Sequence, residues 1–444
     1  MRKWICGGLL FILIGMLVGC KNNIPNGLDS EEHLKRGKKV ITVGIMYDDG
    51  LLQPMIDSYN AENDTYFVEL KSYESYENPC ERFLLDVASD NAPDIIEVGQ
   101  DFPADLLMEK GMLASLEPFF EKDAEWKESD LLDNVLEALK TDDELYYICD
   151  GVGLDTLLAK TSEVGSRNGW NEEEMMEYLS TKPENQKLFQ LNAPDEILAK
   201  LFRNNTSGYV DWENGKCTFD TPEFQNLLET AKRGDGIVEE DVSIPKLLQD
   251  GEVLFYDLNN SGIMGTISSC DIFKEPVTAI GYPCADKDGS YFYLHHAFGI
   301  CAQSENPEGA WDFLRTLVSK EHQERMMVEL GAIFIPTRKD VFDRMLSDRQ
   351  ITEEYEDEYG YRIEPFSYSE SYGDYTISYG PLTDEQIQKF LTIFNNTNKV
   401  ETSNNVIWNI VSEETKAYYK GEKNINETTK VIQNRIDTYI NEQQ

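Results

Sequence analysis

Basic residues are scarce: 40 Lys and Arg stand against 82 Asp and Glu in 444 residues, a formal net charge of −42. A body this acidic repels phosphate backbones and anionic lipid, which argues against nucleic acid as a partner. Histidine is rarer still, with only His33, His295, His296 and His322, and no His-Glu-x-x-His run. Adjacent residues on a strand point to opposite faces, so His295 and His296 do not readily share one metal. No metal site is expected. Gly-x-x-x-x-Gly-Lys, Gly-x-Gly-x-x-Gly and Gly-x-Ser-x-Gly are all missing. Nucleotide binding and a serine nucleophile therefore lack a handle, and no cofactor is expected. Cys-x-x-Cys is missing too, which removes zinc ribbons and redox pairs. Beyond the first twenty residues no stretch is long and apolar enough to cross a bilayer. Yet hydrophobic residues make up 41% of the chain and aromatics 11%, so the acid is a solvated surface and not a sign of disorder.

What is present starts at the N-terminus. Arg2 and Lys3 precede an apolar run from Ile5 to Val18, which ends in Leu17-Val18-Gly19-Cys20. A charged start, a short apolar stretch and a small residue before the cut describe a secretory signal. The run is shorter than the ~20 residues a membrane span needs. The Leu-Val-Gly-Cys ending resembles the lipobox of bacterial lipoproteins. That resemblance implies cleavage before Cys20 and acylation of Cys20, which anchors the exported body to the membrane. Residues 1–19 are then the signal, and 20–39 the lipidated cysteine and a polar tether. Cys80, Cys149, Cys217, Cys270, Cys284 and Cys301 remain in the mature body. Export permits disulfides, but buried free thiols fit their scatter equally well.

About 425 mature residues are too many for one ordinary core, so two lobes are expected. Val40–Met46, Tyr66–Leu70 and Ile95–Val98 read as strands. Helical patterns follow each, at Leu51–Tyr59, Glu81–Ala88 and from Leu106 to the stop at Gly111. Strands alternating with helices imply β-α-β units and a mainly parallel sheet, with ligands beyond the carboxyl ends of the strands. Two loops meet that condition, Tyr47-Asp48-Asp49 and Gly99-Gln100-Asp101-Phe102. Further on, Asn214-Gly215 marks a hairpin, and Thr221-Pro222 caps a helix. Val253–Tyr256 reads as a strand followed by a polar Asn259–Gly262 loop. Trp311–Val318, Asp384–Asn396, Val406–Tyr419 and Asn426–Ile440 read as helices. Residues 352–380 hold tyrosines among acids, glycines and serines without helical period. They are either a solvated loop with packed rings or a lid over a ligand.

Five segments resemble, in order, the family 1 extracellular solute-binding proteins. They are Asn91-Ala-Pro-Asp-Ile-Ile96, Lys110–Pro118, Gly208–Lys216, Asn306–Leu314 and Gly421–Tyr439. The resemblance runs from about residue 40 to the end and implies an α/β fold of two lobes. Each lobe would be a mainly parallel sheet flanked by helices, of the type II periplasmic-binding-protein kind, with the ligand cleft between them. The implied division is 40–149 with 296–345 for the N-lobe and 150–295 with 382–444 for the C-lobe. Residues 346–381 would connect them. The implied function is that of a lipid-anchored, monomeric substrate receptor of an ABC importer on the extracytoplasmic face of a Gram-positive bacterium. It would close on a solute and hand it to permease transmembrane subunits.

Sugars present apolar C–H faces and hydroxyl edges, so their sites need flat rings beside fixed polar groups. Tyr47, Asp48, Gln100, Asp101, Phe102, Tyr256 and Trp408 are the candidates. Asp101 matches a cleft aspartate that accepts sugar hydroxyls in the maltose-binding member of the family, and its loop position agrees. Trp408, thirteen residues before Gly421, has the spacing of a sugar-stacking tryptophan, but it also sits in an apolar helical run that reads as core. The family's tryptophan after Asp-Ile-Ile is Val98 here, which puts maltodextrin in doubt and leaves other carbohydrates open. Trp170, Trp212 and Trp311 read as packing residues. Two alternatives stand beside a receptor for a carbohydrate, an oligosaccharide. One is the same fold holding a cationic solute or peptide, favoured by the dense acid; the other is a lipid-anchored glycoside hydrolase.

Overall fold

The computed structural model describes residues 35–443, apart from 76–78, 89–90, 100, 192, 235–242 and 357–361. The signal, Cys20, most of the tether and Gln100 lie outside the described residues.

The chain opens with β1 (Lys39–Ile45), α1 (Gln53–Glu62), β2 (Tyr66–Ser72), α2 (Pro79–Ala88), β3 (Ile95–Val98) and α3 (Ala104–Glu109). Both β2 and β3 pair with β1 in parallel, as alternating strands and helices require. The Ala92-Pro93-Asp94 turn locks this unit. Asp94 Oδ2 accepts from the Thr42 amide at 2.9 Å, and Oδ1 accepts from Ser304 Oγ at 2.5 Å. Pro93 presses on Gly44, where a β-carbon would lie 2.7 Å from Pro93 Cγ.

The remaining sheet is built on β4 (Tyr147–Lys160), buried along all but its last residue. It pairs antiparallel with β5 (Phe255–Ser261), β6 (Val277–Ala279), β7 (Tyr291–Ile300) and β8 (Ile335–Pro336). The sheet order is β6-β4-β7-β3-β1-β2, with β5 and β8 also on β4. The parallel expectation therefore holds for β2-β1-β3 and fails around β4. The reason is geometric: β4 and β7 carry the chain out and back as a long antiparallel pair, and β7 then joins β3. The polar run Asn259-Asn260-Ser261, expected as a loop, continues β5 instead. Gly153 allows this close pairing, since a β-carbon there would meet the Asn260 backbone at 2.9 Å.

Helices cover the sheet: α4 (Glu172–Ser180), α5 (Pro194–Phe202), α6 (Pro222–Ala231), α7 (Ile263–Asp271), α8 (Pro307–Leu314), α9 (Lys320–Glu329), α10 (Asp384–Asn395), α11 (Asn405–Tyr419) and α12 (Ile425–Gln443). Their starts follow local chemistry. Asn171 and Glu174 form a capping box on α4, and Thr221 caps α6 with Pro222 behind it. Two hydrophobic cores result. One gathers Ile41, Val43, Ile96, Trp311 and Leu314 around β1. The other gathers Trp170, Phe202, Phe219, Phe224, Ile407 and Ile436. Each fully buried large side chain contributes roughly 1.5–3 kcal/mol, before conformational entropy is subtracted.

The tyrosine-rich segment contains a hairpin, β9 (Tyr368–Tyr372) with β10 (Tyr375–Tyr379). One face carries Tyr368, Glu370, Tyr372, Tyr375, Ile377 and Tyr379 half-buried; the other exposes Ser369, Ser371, Thr376 and Ser378. The aromatic face packs on α7. Ser268 Oγ donates to Glu370 at 2.7 Å, and Tyr379 donates to Asp271 at 3.0 Å. Cys149, Cys217, Cys270, Cys284 and Cys301 are buried free thiols. Among the described residues no helix is long and apolar enough to cross a membrane.

Candidate functional site

The β1–α1 and β3–α3 loops open onto a cavity of about 370 Å³. Its walls include Met46, Tyr47, Asp49, Asp101, Phe102 and Asp105 from that side. Tyr147, Tyr293, His295 and His296 come from the crossover strands, and Val400–Ser403 from the segment before α11. It thus lies beyond the carboxyl ends of parallel strands, where α/β sheets place ligands.

The floor is fixed by one kink. His296 has φ +34°, in a region that non-glycine residues avoid. It is skipped in the β4–β7 register, between the pairs His295–Gly151 and Ala297–Cys149. Its ring is turned toward charge: Nδ1–H donates to Asp150 Oδ2 at 2.8 Å and Nε2–H to Asp49 Oδ2 at 3.3 Å. Asp150 is fully buried and also accepts from His322 Nε2 at 2.8 Å. Arg325 donates to His322 Nδ1 at 3.0 Å, which leaves Nε2 as the proton-bearing nitrogen. Asp150 Oδ1 is buried with no hydrogen-bond partner among the described residues. Burial alone would raise Asp150, but the His296 charge and the two imidazole hydrogen bonds outweigh it and hold the carboxyl far below its ordinary value. Burial likewise opposes charge on His296, yet Asp150 and Asp49 push it up to about 10. Burial keeps the neighbouring His295 low, and its Nε2 lies 3.2 Å from the Ile333 carbonyl.

The acids differ in what they face. Glu97 accepts from the Met46 amide at 2.5 Å and is raised by burial to about 7. Asp101 Oδ1 accepts from Asn405 Nδ2 at 2.8 Å, and Arg203 donates to Asn405 Oδ1 at 3.0 Å. That chain of three side chains links Asp101, on the cavity wall, to Asn405 at the start of α11 and Arg203 just after α5. Glu401 accepts from Ser403 Oγ at 3.1 Å. Asp105 is raised by burial.

The structure brings together some of the sequence candidates. Tyr47, Asp101 and Phe102 line the cavity. Tyr47 is well exposed, whereas Phe102 is buried against Tyr73 and Phe83. Asp48 turns away to accept from the Gly50 amide at 2.9 Å, as a turn residue does. Tyr256 and Trp408 stand elsewhere. Tyr256 packs on the first core beside the tyrosine hairpin, and Trp408 packs on the second core near Phe202. Trp170 and Trp311 are buried in the cores, and Trp212 meets Tyr439 edge-on. The hairpin contributes nothing to the cavity walls. The residues not read from sequence are Tyr147, Tyr293, His296 and Glu401. An adjacent His pair in an apolar strand was the one available sign.

Residues 54–359 match the family model described as bacterial extracellular solute-binding protein. The chain belongs to that family. Its members are substrate-binding proteins and not enzymes, and they work outside the cytoplasm. Solved structures of this solute-binding protein's fold agree. The sugar-binding protein MalE of Xanthomonas citri aligns at TM-score 0.53 and 13% identity, over 91% of this chain and 98% of its own. A Listeria monocytogenes ABC substrate-binding protein in complex with cycloalternan gives 0.52 and 15%, over 91% and 99%. The GacH receptor of Streptomyces glaucescens, solved unliganded and with acarbose, gives 0.50 and 14%, over 91% and 99%. At these identities the likeness shows the two-lobe fold. No curated protein matches the chain by sequence.

Proposed function

We propose that this solute-binding protein is the lipid-anchored receptor of an ABC importer and takes a carbohydrate in the cleft by closing its lobes. The observation that carries the reading is the cavity itself. Tyr47, Tyr147 and Tyr293 supply rings and Asp49, Asp101 and Glu401 supply planar acceptors, and Tyr47, Asp49 and Asp101 come from the loops at the carboxyl ends of β1 and β3. Apolar faces beside fixed polar groups are what sugar recognition requires. Fold neighbours described with sugars support it. The volume lies at the low end of the ~300–1,000 Å³ typical of small-molecule sites, which favours a short carbohydrate. The lobes would comprise 40–149 with 296–345 and 150–295 with 382–444, joined through 346–381. The closed receptor would present a monomer's two lobes to permease transmembrane subunits, with acylated Cys20 holding it at the membrane.

A thermal-shift screen of residues 21–444 against mono- and oligosaccharides, short peptides and polyamines tests the ligand class. A ligand at 100-fold over its Kd stabilises the native state by about 2.7 kcal/mol. The expected result is a shift with a short carbohydrate that Asp101→Ala abolishes. A shift with peptides alone overturns the reading.

A further inference from the structure

We propose that the cleft selects a short carbohydrate carrying a protonated amino group, held at Asp105 beside the Tyr147 hydroxyl. This rests on the carbohydrate reading above and narrows it. Five carboxylates line the cavity, from Asp49, Glu97, Asp101, Asp105 and Glu401, and the basic side chains in the lining are His295 and His296. His296 is committed to Asp49 and Asp150, and burial disfavours charge on His295. The wall therefore carries more carboxyl groups than cations to pair with them.

Within that wall, four acids have work to do. Asp49 takes His296, Asp101 takes Asn405, Glu97 takes the Met46 amide, and Glu401 takes Ser403. Asp105 has neither a cation nor a hydrogen-bond donor among the described residues. Tyr147 is the independent sign. It is 2% exposed and lines the cavity, and no hydrogen bond engages its hydroxyl among the described residues. The charge of Asp105 is felt at this phenol and helps to raise it. The hydroxyl is not sealed off from the cavity, so a ligand there can reach it. A sugar hydroxyl would bond Tyr147 alone and leave Asp105, on the same wall, without a partner. An ammonium on the same ring satisfies both groups: it donates to Asp105, and Tyr147 bonds to the adjacent ring oxygen or hydroxyl.

The test is calorimetry on residues 21–444 with glucosamine and its β-1,4 dimer and trimer, their N-acetylated counterparts, glucose, maltose and spermidine. The amino forms are expected to bind, and the acetylated forms, which keep the ring but lose the charge, to bind about 10- to 100-fold more weakly. Asp105→Asn should remove that preference, and Tyr147→Phe should weaken the amino forms while leaving the fold intact by circular dichroism. Affinity for the amino forms should fall as salt is raised. Neutral sugars that bind as tightly as amino sugars, with Asp105→Asn silent, overturn this inference and leave the carbohydrate reading standing. Binding of spermidine with no sugar overturns both. No binding of any amino sugar also overturns the inference.

Discussion

Asp150 and His296 stand on the two crossover strands, one from each, and their ion pair sits under the cleft floor. Breaking a buried pair by removing one partner leaves the other charge uncompensated and costs about 3–5 kcal/mol. Asp150→Asn should lose that much, read by urea unfolding at pH 7. The pH profile is sharper. His296 is raised in the folded state, so its contribution is complete below the unfolded value near 6.5 and is lost as pH rises through about 10. Glu97 is also raised, so its neutral form favours folding below about 4.5, and that advantage is lost as pH rises through about 7. Wild-type stability attributable to these two groups should fall from pH 4.5 to 10. Glu97→Gln should flatten the lower part of the window and His296→Gln the upper part. A His296→Gln profile parallel to wild type between pH 6.5 and 10 would show that His296 carries no charge there. Asp101 and Tyr47 were legible in the sequence because each follows a strand that the pattern marks. His296, Tyr147 and Glu401 were not, because strand crossing brings them together from distant segments. Nor does sequence reveal a left-handed histidine.

At the scale of elements, the sequence reading did best where one rule dominates. The β-α-β start, the Asn214-Gly215 hairpin and the Thr221 cap each follow from local chemistry. It did worst where tertiary pairing overrides composition, as when the polar end of β5 pairs with β4 near a register shift at Leu154/Thr156. The tyrosine segment shows why a lid and a packed loop look alike from composition. Its rings alternate with Ser and Thr, which makes a two-faced hairpin whose aromatic side needs a surface but whose sequence does not name it. The surface here is α7. Ser268 Oγ and the Tyr372 hydroxyl are 3.0 Å apart, and Tyr372 also lies beside Tyr256. Tyr372→Ala should therefore lower the melting midpoint by a few degrees, from about 1–3 kcal/mol of lost packing and hydrogen bonding, and leave ligand affinity unchanged. An affinity loss of tenfold or more without a stability loss would instead assign the hairpin to the cleft.

At the scale of the whole molecule, the proposed closing of the lobes turns on what links them. One side-chain bridge from the cavity wall is the Arg203–Asn405–Asp101 chain. A hydrogen bond to a charged group contributes about 1.5–3 kcal/mol, whereas moving an equilibrium from 1:99 to 99:1 takes about 5.5 kcal/mol. If the lobes close as proposed, a bond of this size biases closure without enforcing it, and bound solute supplies the remainder. Asn405→Ala removes the bridge without touching the cavity walls. It should enlarge the radius of gyration of the unliganded protein in small-angle scattering and weaken ligand binding about tenfold, the equivalent of ~1.4 kcal/mol. Saturating ligand should restore the compact profile, because it stabilises the closed form by its differential affinity for it. If the unliganded variant scatters like the wild type, the bridge does not govern closure, and the balance lies with the strands that cross between the lobes.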